Sequence, residues 1–159
     1  MVISNWNESE TLTDRKSKFQ ARACVIKNQD DIPDILNELL FQNKSVSKAS
    51  HPHMYAWRTA EILKPNSSTS TITKNKWGKS NSKSLSPIVP TLKNIQQGSL
   101  DCGESGAGQR LLTLLERSAI VNVLVIVTRW YGGTPLGSRR FRHISATAVE
   151  SLKKAKFLL

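Results

Sequence analysis

Two cysteines, two methionines, two tyrosines and 12 acidic residues are few for a chain of 159, and each scarcity excludes something. Cys24 and Cys102 cannot form a disulfide framework, and they fall short of a four-ligand zinc site. Their small number fits a reducing compartment. The longest apolar run, Val121 to Thr128, stops at Arg129, well short of a membrane span. The amino terminus, Met1 to Trp6, lacks the basic-then-apolar profile of a secretory signal. The expectation is a soluble cytoplasmic protein without membrane association. No P-loop and no dinucleotide fingerprint occurs, so no small-molecule cofactor is expected.

What is abundant is positive charge. Lysine and arginine number 23, the formal net charge is +11 and the isoelectric point is about 10.0. Such a charge points to a polyanionic partner, RNA, DNA or a ribosome-like surface, or else it only aids solubility. The hydrophobic fraction of 38% is enough for one core in one domain, 1–159, with part of the chain left out of it.

Period-two alternation over Ser17–Lys27 predicts a strand, with Phe19, Ala21, Ala23 and Val25 inward and Lys18, Gln20, Arg22 and Cys24 outward. Asp30-Asp31-Ile32-Pro33 opens a helix, since acids and a first-turn proline suit its positive end. Its stripe is Ile32, Ile35 or Leu36, Leu39 and Leu40, and it ends near Asn43. Ser50–Ala60 predicts a second strand, with His53, Tyr55 and Trp57 on one face. Residues 62–100 carry six lysines and no acid, amid serine, threonine and asparagine. They are expected to form a basic, flexible insertion around Trp77, with at most a short strand at Ile72 or near Leu92. A loop insertion with no role is an equal reading.

Ser105 is placed to cap a helix from Gly106, whose inner stripe is Ala107, Leu111, Leu114, Leu115 and Ser118. Val121–Thr128 is apolar on both sides, as an interior strand is. Phe141, Ile144, Ala148, Leu152 and Ala155 stripe a last helix with lysines in its final turn. The expected fold is α+β, a two-layer sheet with helices on one face.

Two loops carry the polar residues that look placed. In the second, Gly132, Gly133 and Gly137 permit close backbone approach. A helix start beyond them offers free amides beside Arg139, Arg140 and Arg142, an arrangement suited to phosphate. Arg129 lies in the same loop, and Trp130 or Tyr131 could stack a base. We read Tyr131 as padding under a tight connection. Lys74, Lys76 and Lys79 extend the candidate nucleic-acid or partner surface. In the first loop, Asp101 and Glu104 could act as acid and base or hold a cation. The architectural reading is preferred: Glu104 compensates the helix end, and Asp101 receives Arg129 or Arg110. His51 and His53 form a two-histidine pair without a visible third ligand. His143 lies off the apolar stripe, and Cys24 reads as structural. No catalytic and no metal residue is assigned.

Asp101-Cys102-Gly103-Glu104-Ser105-Gly106-Ala107-Gly108-Gln109-Arg110, then Asn122 to Gly133, Gly137, and Arg140-Phe141-Arg142-His143, resemble the signature of the Impact family, in its eukaryotic branch. Ser17-Lys18-Phe19 and His53-Met54-Tyr55-Ala56-Trp57-Arg58 fit the weaker upstream pattern. The resemblance spans about residues 13–157 outside the insertion. It implies a fold like the second domain of ribosomal protein S-five. It also implies a non-enzymatic role in translation regulation: eukaryotic members restrain the kinase that senses amino-acid starvation, by competing for its ribosome-associated coactivator. An RWD domain carries much of that contact, and the expectation for this chain is the ancestral domain alone. Two positions depart from the family pattern. Cys102 stands where a second acid is usual, and Arg139 where the eukaryotic branch is often acidic. The expected partners are RNA or the ribosome, or a translation-regulatory protein. The alternatives are a general nucleic-acid-binding module with no kinase link and a hydrolase using Asp101 and Glu104.

Overall fold

A computed structural model describes residues 6–63 and 91–157. The chain divides into two compact units, one of Met1–Thr59 with Gln96–Leu159, the other of Ala60–Ile95. The strands are β1 (Asn7–Glu8), β2 (Leu12–Asp14), β3 (Ser17–Val25), β4 (His51–Leu63), β5 (Thr91–Leu100) and β6 (Val123–Trp130). The helices are α1 (Ile32–Gln42), α2 (Lys44–Ser47), α3 (Ala107–Arg117) and α4 (Arg139–Lys154), with one 3-10 turn at Gln29–Asp31. The sheet runs β1-β3-β6-β4-β5, and β2 also pairs with β3.

β6 holds the centre because its residues are apolar on both sides, and seven of its eight are buried. It pairs antiparallel with β3 from Lys18↔Trp130 to Val25↔Val123, and with β4 on its other edge. The β4 register shifts between His51 and Met54, where Thr128 Oγ1 donates to the Pro52 carbonyl at 2.8 Å. On one face, Phe19, Ala21, Ala23, Met54, Ala56, Val123, Val125 and Val127 meet Leu111 and Leu115 of α3 and Ile144, Ala148 and Leu152 of α4. The alanines let both helices approach. Each fully buried leucine or isoleucine there contributes about 1.5–3 kcal/mol.

The α+β class is as read, but the helices are not confined to one face. Ile32, Ile35 and Leu39 of α1 and Val46 of α2 pack with Cys24, Trp57, Leu124 and Ile126 on the other. That second cover is why Arg22 and Cys24, expected outward, are buried, while Val25 at the strand end is 60% exposed. Arg22 Nε meets Glu8 Oε2 at 2.7 Å. Burial pushes the Cys24 thiol up to about 12, as expected of an unreactive packing residue.

The segment read as an insertion also needs correction at its ends. Ile62 and Leu63 continue β4, and Thr91–Leu100 is a full strand. Gly98 of β5 makes room for the Trp57 indole, since a Cβ there would lie 2.8 Å from the indole nitrogen. Within Ala60–Ile95, Asn94 Nδ2 donates to Glu61 Oε2 at 3.0 Å. The proposed strand at Ile72, Trp77 and the lysines Lys74, Lys76 and Lys79 lie outside the described residues. No helix among the described residues is long and apolar enough to cross a membrane.

Candidate functional site

The first loop descends from β5 and enters α3 through Gly106, at φ +89, a conformation glycine adopts without strain. Asp101, not Ser105, caps this helix. Its Oδ2 accepts from the Gly106 amide at 3.1 Å and its Oδ1 from the Gly108 amide at 2.8 Å. Ser105 is exposed. A carboxylate on first-turn amides also suits the positive end of the helix dipole.

The expected partners of the two acids are exchanged. Glu104, 8% exposed, receives the arginine: Arg129 Nη1 donates to Glu104 Oε2. Arg140 Nε approaches the same oxygen at 3.5 Å, and His51 Nε2 lies 3.7 Å from Oε1. The other ring nitrogen of His51 is 2.9 Å from the Cys102 carbonyl. One carboxylate therefore gathers two guanidiniums and an imidazole from three separate stretches of chain. Asp101 and Glu104, the pair that the hydrolase alternative named, each hold partners within the fold: Asp101 the Gly106 and Gly108 amides, Glu104 the Arg129 guanidinium.

The second loop leaves β6 at Trp130. Its backbone is tied to neighbouring hydroxyls: the Tyr131 amide donates to Ser50 Oγ at 3.0 Å and the Gly132 amide to Ser17 Oγ at 2.9 Å. A Cβ at Gly132 would overlap the backbone of Lys16 and Ser17, so only glycine fits. Gly133 and Gly137 have φ of +96 and +61. The start of α4 does not offer the expected free amides. Arg139, Arg140 and Phe141 donate to the carbonyls three residues back, Leu136, Gly137 and Ser138, at 3.2, 3.4 and 3.2 Å. Any anion met here would contact side chains.

Those side chains divide sharply. Arg129 is 3% exposed and turned inward, so the expectation that it faces a partner is corrected. Arg140 is half-buried, donating Nη1 to the Gly137 carbonyl at 2.6 Å. Phe141 carries two cations, with Arg110 and Arg140 at 4.2 and 4.3 Å from its ring centroid. Arg139 and Arg142 are exposed. Trp130 is half-buried, its Nε1 donating to the Ser45 carbonyl at 2.7 Å. Tyr131 is 48% exposed rather than padding.

His143 bridges to the far end of the chain, its Nε2 lying 2.7 Å from Asp14 Oδ2. That hydrogen bond holds the Asp14 carboxyl below its ordinary value. No sequence signal linked the two, which stand 129 positions apart. The two upstream histidines do not converge: His51 joins Glu104, while His53 lines a groove with Tyr55 and Trp57 against α1. Among the described residues, no three His, Cys, Asp or Glu side chains could hold a metal ion.

The known proteins that this chain resembles agree with one another. The family described as the Impact N-terminal domain matches residues 15–152. A Saccharomyces cerevisiae protein named IMPACT family member YDL177C is 63% identical over 163 residues, covering 99% of this chain and 95% of its own. The protein IMPACT homolog of Schizosaccharomyces pombe is 34% identical, covering 93% of this chain but 42% of its own. This chain thus spans nearly all of the first relative and less than half of the second. Among solved structures, the two-domain translational regulator Yih1 aligns at 28% identity, over 98% of this chain and 48% of its own, with a TM-score of 0.49. A crystal structure of a hypothetical protein aligns at 17% identity, over 93% and 56%, with a TM-score of 0.56, a likeness of fold alone. With the family match running from the β2–β3 turn to the end of α4, the chain belongs to the Impact family.

Proposed function

We propose that this protein is a non-enzymatic, cytoplasmic regulator of translation, linked to the amino-acid-starvation kinase pathway and acting by contact with RNA, the ribosome or a translation-regulatory protein. The observation that carries the reading is the Impact membership across residues 15–152. Charge supports the polyanion contact: the chain carries +11, and Arg139 and Arg142 stand exposed without an ion pair among the described residues. The phosphate role falls to those two side chains, because Arg129 and Arg140 are engaged with Glu104.

Affinity capture from cell extract, with and without nuclease and across a salt series, tests this. The expected result is recovery of ribosomal RNA, lost on nuclease treatment and weakened steeply by salt. Capture insensitive to both removes RNA from the proposal and leaves a protein partner. Absence of any translation component overturns it. A general nucleic-acid module without a kinase link rests on the charge alone. It is separated by measuring starvation-kinase output in cells lacking this protein, which it predicts to be unchanged.

A further inference from the structure

We propose a second cationic site, a groove for unpaired RNA, lined by Lys16, Lys18, Lys48 and Trp130 on the side of the sheet that carries α2. It deepens the proposed function and rests on the RNA-contact reading. The groove encloses about 500 Å³, with Thr11 and Ser45 adding hydroxyls to its walls, and no acidic residue among the described ones lines it. All three lysines are exposed, and none makes an ion pair among the described residues.

Two features show that the cations are placed there rather than scattered. Lys18 stands directly opposite Trp130 in the β3–β6 ladder, so the two side chains rise from paired positions and line the groove together. The indole is itself pinned through Nε1 to the Ser45 carbonyl. Lys16 belongs to the two-residue connection between Asp14 and Ser17, where Arg15 and Lys16 have φ of +48 and +70. Such hairpin turns favour Asn-Gly, because both central residues are left-handed. Arginine and lysine hold these positions at a conformational cost, which points to a use outside the turn.

The chemistry this combination recognises is a phosphate backbone tracked by spaced ammonium groups with a base against an aromatic wall. Stacking needs an unpaired base, so the occupant is single-stranded RNA rather than a duplex.

The test measures fluorescence anisotropy of a labelled single-stranded RNA of about 12 nucleotides, within the usual span of such sites. The variant Lys16→Gln/Lys18→Gln/Lys48→Gln is compared with a charge-matched control on other exposed positions, Lys27→Gln/Arg117→Gln/Lys156→Gln. We expect the groove variant to lose about tenfold or more in affinity and to flatten the salt dependence by up to about two units of slope, against less than about threefold loss for the control. Both should keep the wild-type thermal unfolding curve, since every altered side chain is exposed. The same RNA annealed to its complement should bind at least about tenfold more weakly. Equal losses from both variants, or none from either, overturn the groove. Equal affinity for single strand and duplex overturns the role of Trp130. Displacement of the RNA by a polyglutamate peptide at matched charge concentration reassigns the groove to an acidic protein. Loss of binding in Arg139→Gln/Arg142→Gln with the groove variant unaffected defeats the groove while the RNA reading stands. No RNA binding by the wild-type chain at low salt defeats both.

Discussion

The starts of α3 and α4 solve one problem in opposite ways. Both helices enter through glycine-rich loops, and both have first-turn amides to satisfy. At α3 a side chain takes part: Asp101 spans Gly106 and Gly108, while only the Ala107 amide between them donates to a carbonyl three residues back. At α4 the backbone does it, with carbonyls three residues back. The consequence is chemical. The α3 loop spends both of its acids internally, one on amides and one on Arg129 and Arg140. The first-turn amides of α4 take no side-chain acceptor, and Arg139 and Arg142 are exposed. Inside a turn that is tight in backbone, arginines at a positive helix end mark a surface available to something else.

Four changes would break or sharpen that contrast. The largest effect belongs to Glu104→Gln. Arg129 stays buried and loses its counter-charge, and we expect a loss of about 3–5 kcal/mol in urea unfolding. Adding Arg129→Met should recover much of that loss; if it does not, the carboxylate is not there to neutralise Arg129. Next is Asp101→Ala, which strips two amides of their acceptor and should cost about 1–2 kcal/mol. Ser105→Ala should be close to neutral, and a cost equal to that of Asp101→Ala would return the cap to the serine. Arg139→Gln/Arg142→Gln should shift stability by no more than about 0.5 kcal/mol, as exposed substitutions do, while weakening RNA association in anisotropy.

The smallest effect concerns the tie between α4 and β2. The Asp14 carboxyl is held below the ordinary aspartate range, first by its hydrogen bond with His143. A carboxyl lowered in the folded state stabilises the fold above its unfolded value and loses that contribution as pH falls through the lowered one. The stability gap between wild type and Asp14→Asn should therefore be full above about pH 4 and close in more acidic buffer. A gap that widens in acid would refute the pairing.

Much of this was legible in the chain. The helical stripes of α1, α3 and α4 and the continuous apolar run of β6 announce themselves, because burial writes a period into sequence. β5 was not legible. Residues 92–100 are largely exposed at the sheet edge, so no core imposes an alternation, and the lysine, asparagine and glutamines there read as loop. The outward reading of Arg22 and Cys24 failed for a related reason. Alternation tells which residues share a face, and it is silent on whether the second face is also covered. At the site, the glycine loops and their charges were visible, but the assignment of acids to partners was not. Asp101 and Glu104 lie three apart, and spacing cannot say which reaches amides and which reaches Arg129. His143 with Asp14 depends on how α4 packs beside β2, and Lys18 opposite Trp130 on strand register, neither of which the sequence displays.

Gly132 carries one more consequence. Its backbone lies against that of Lys16 and Ser17, with no room for a side chain between them, and its amide is held by Ser17 Oγ. The β2–β3 hairpin and the loop into α4 are therefore one cooperative unit. Amide hydrogens around residues 14–18 and 131–133 should exchange with solvent at a shared rate, because neither segment can open while the other stays shut.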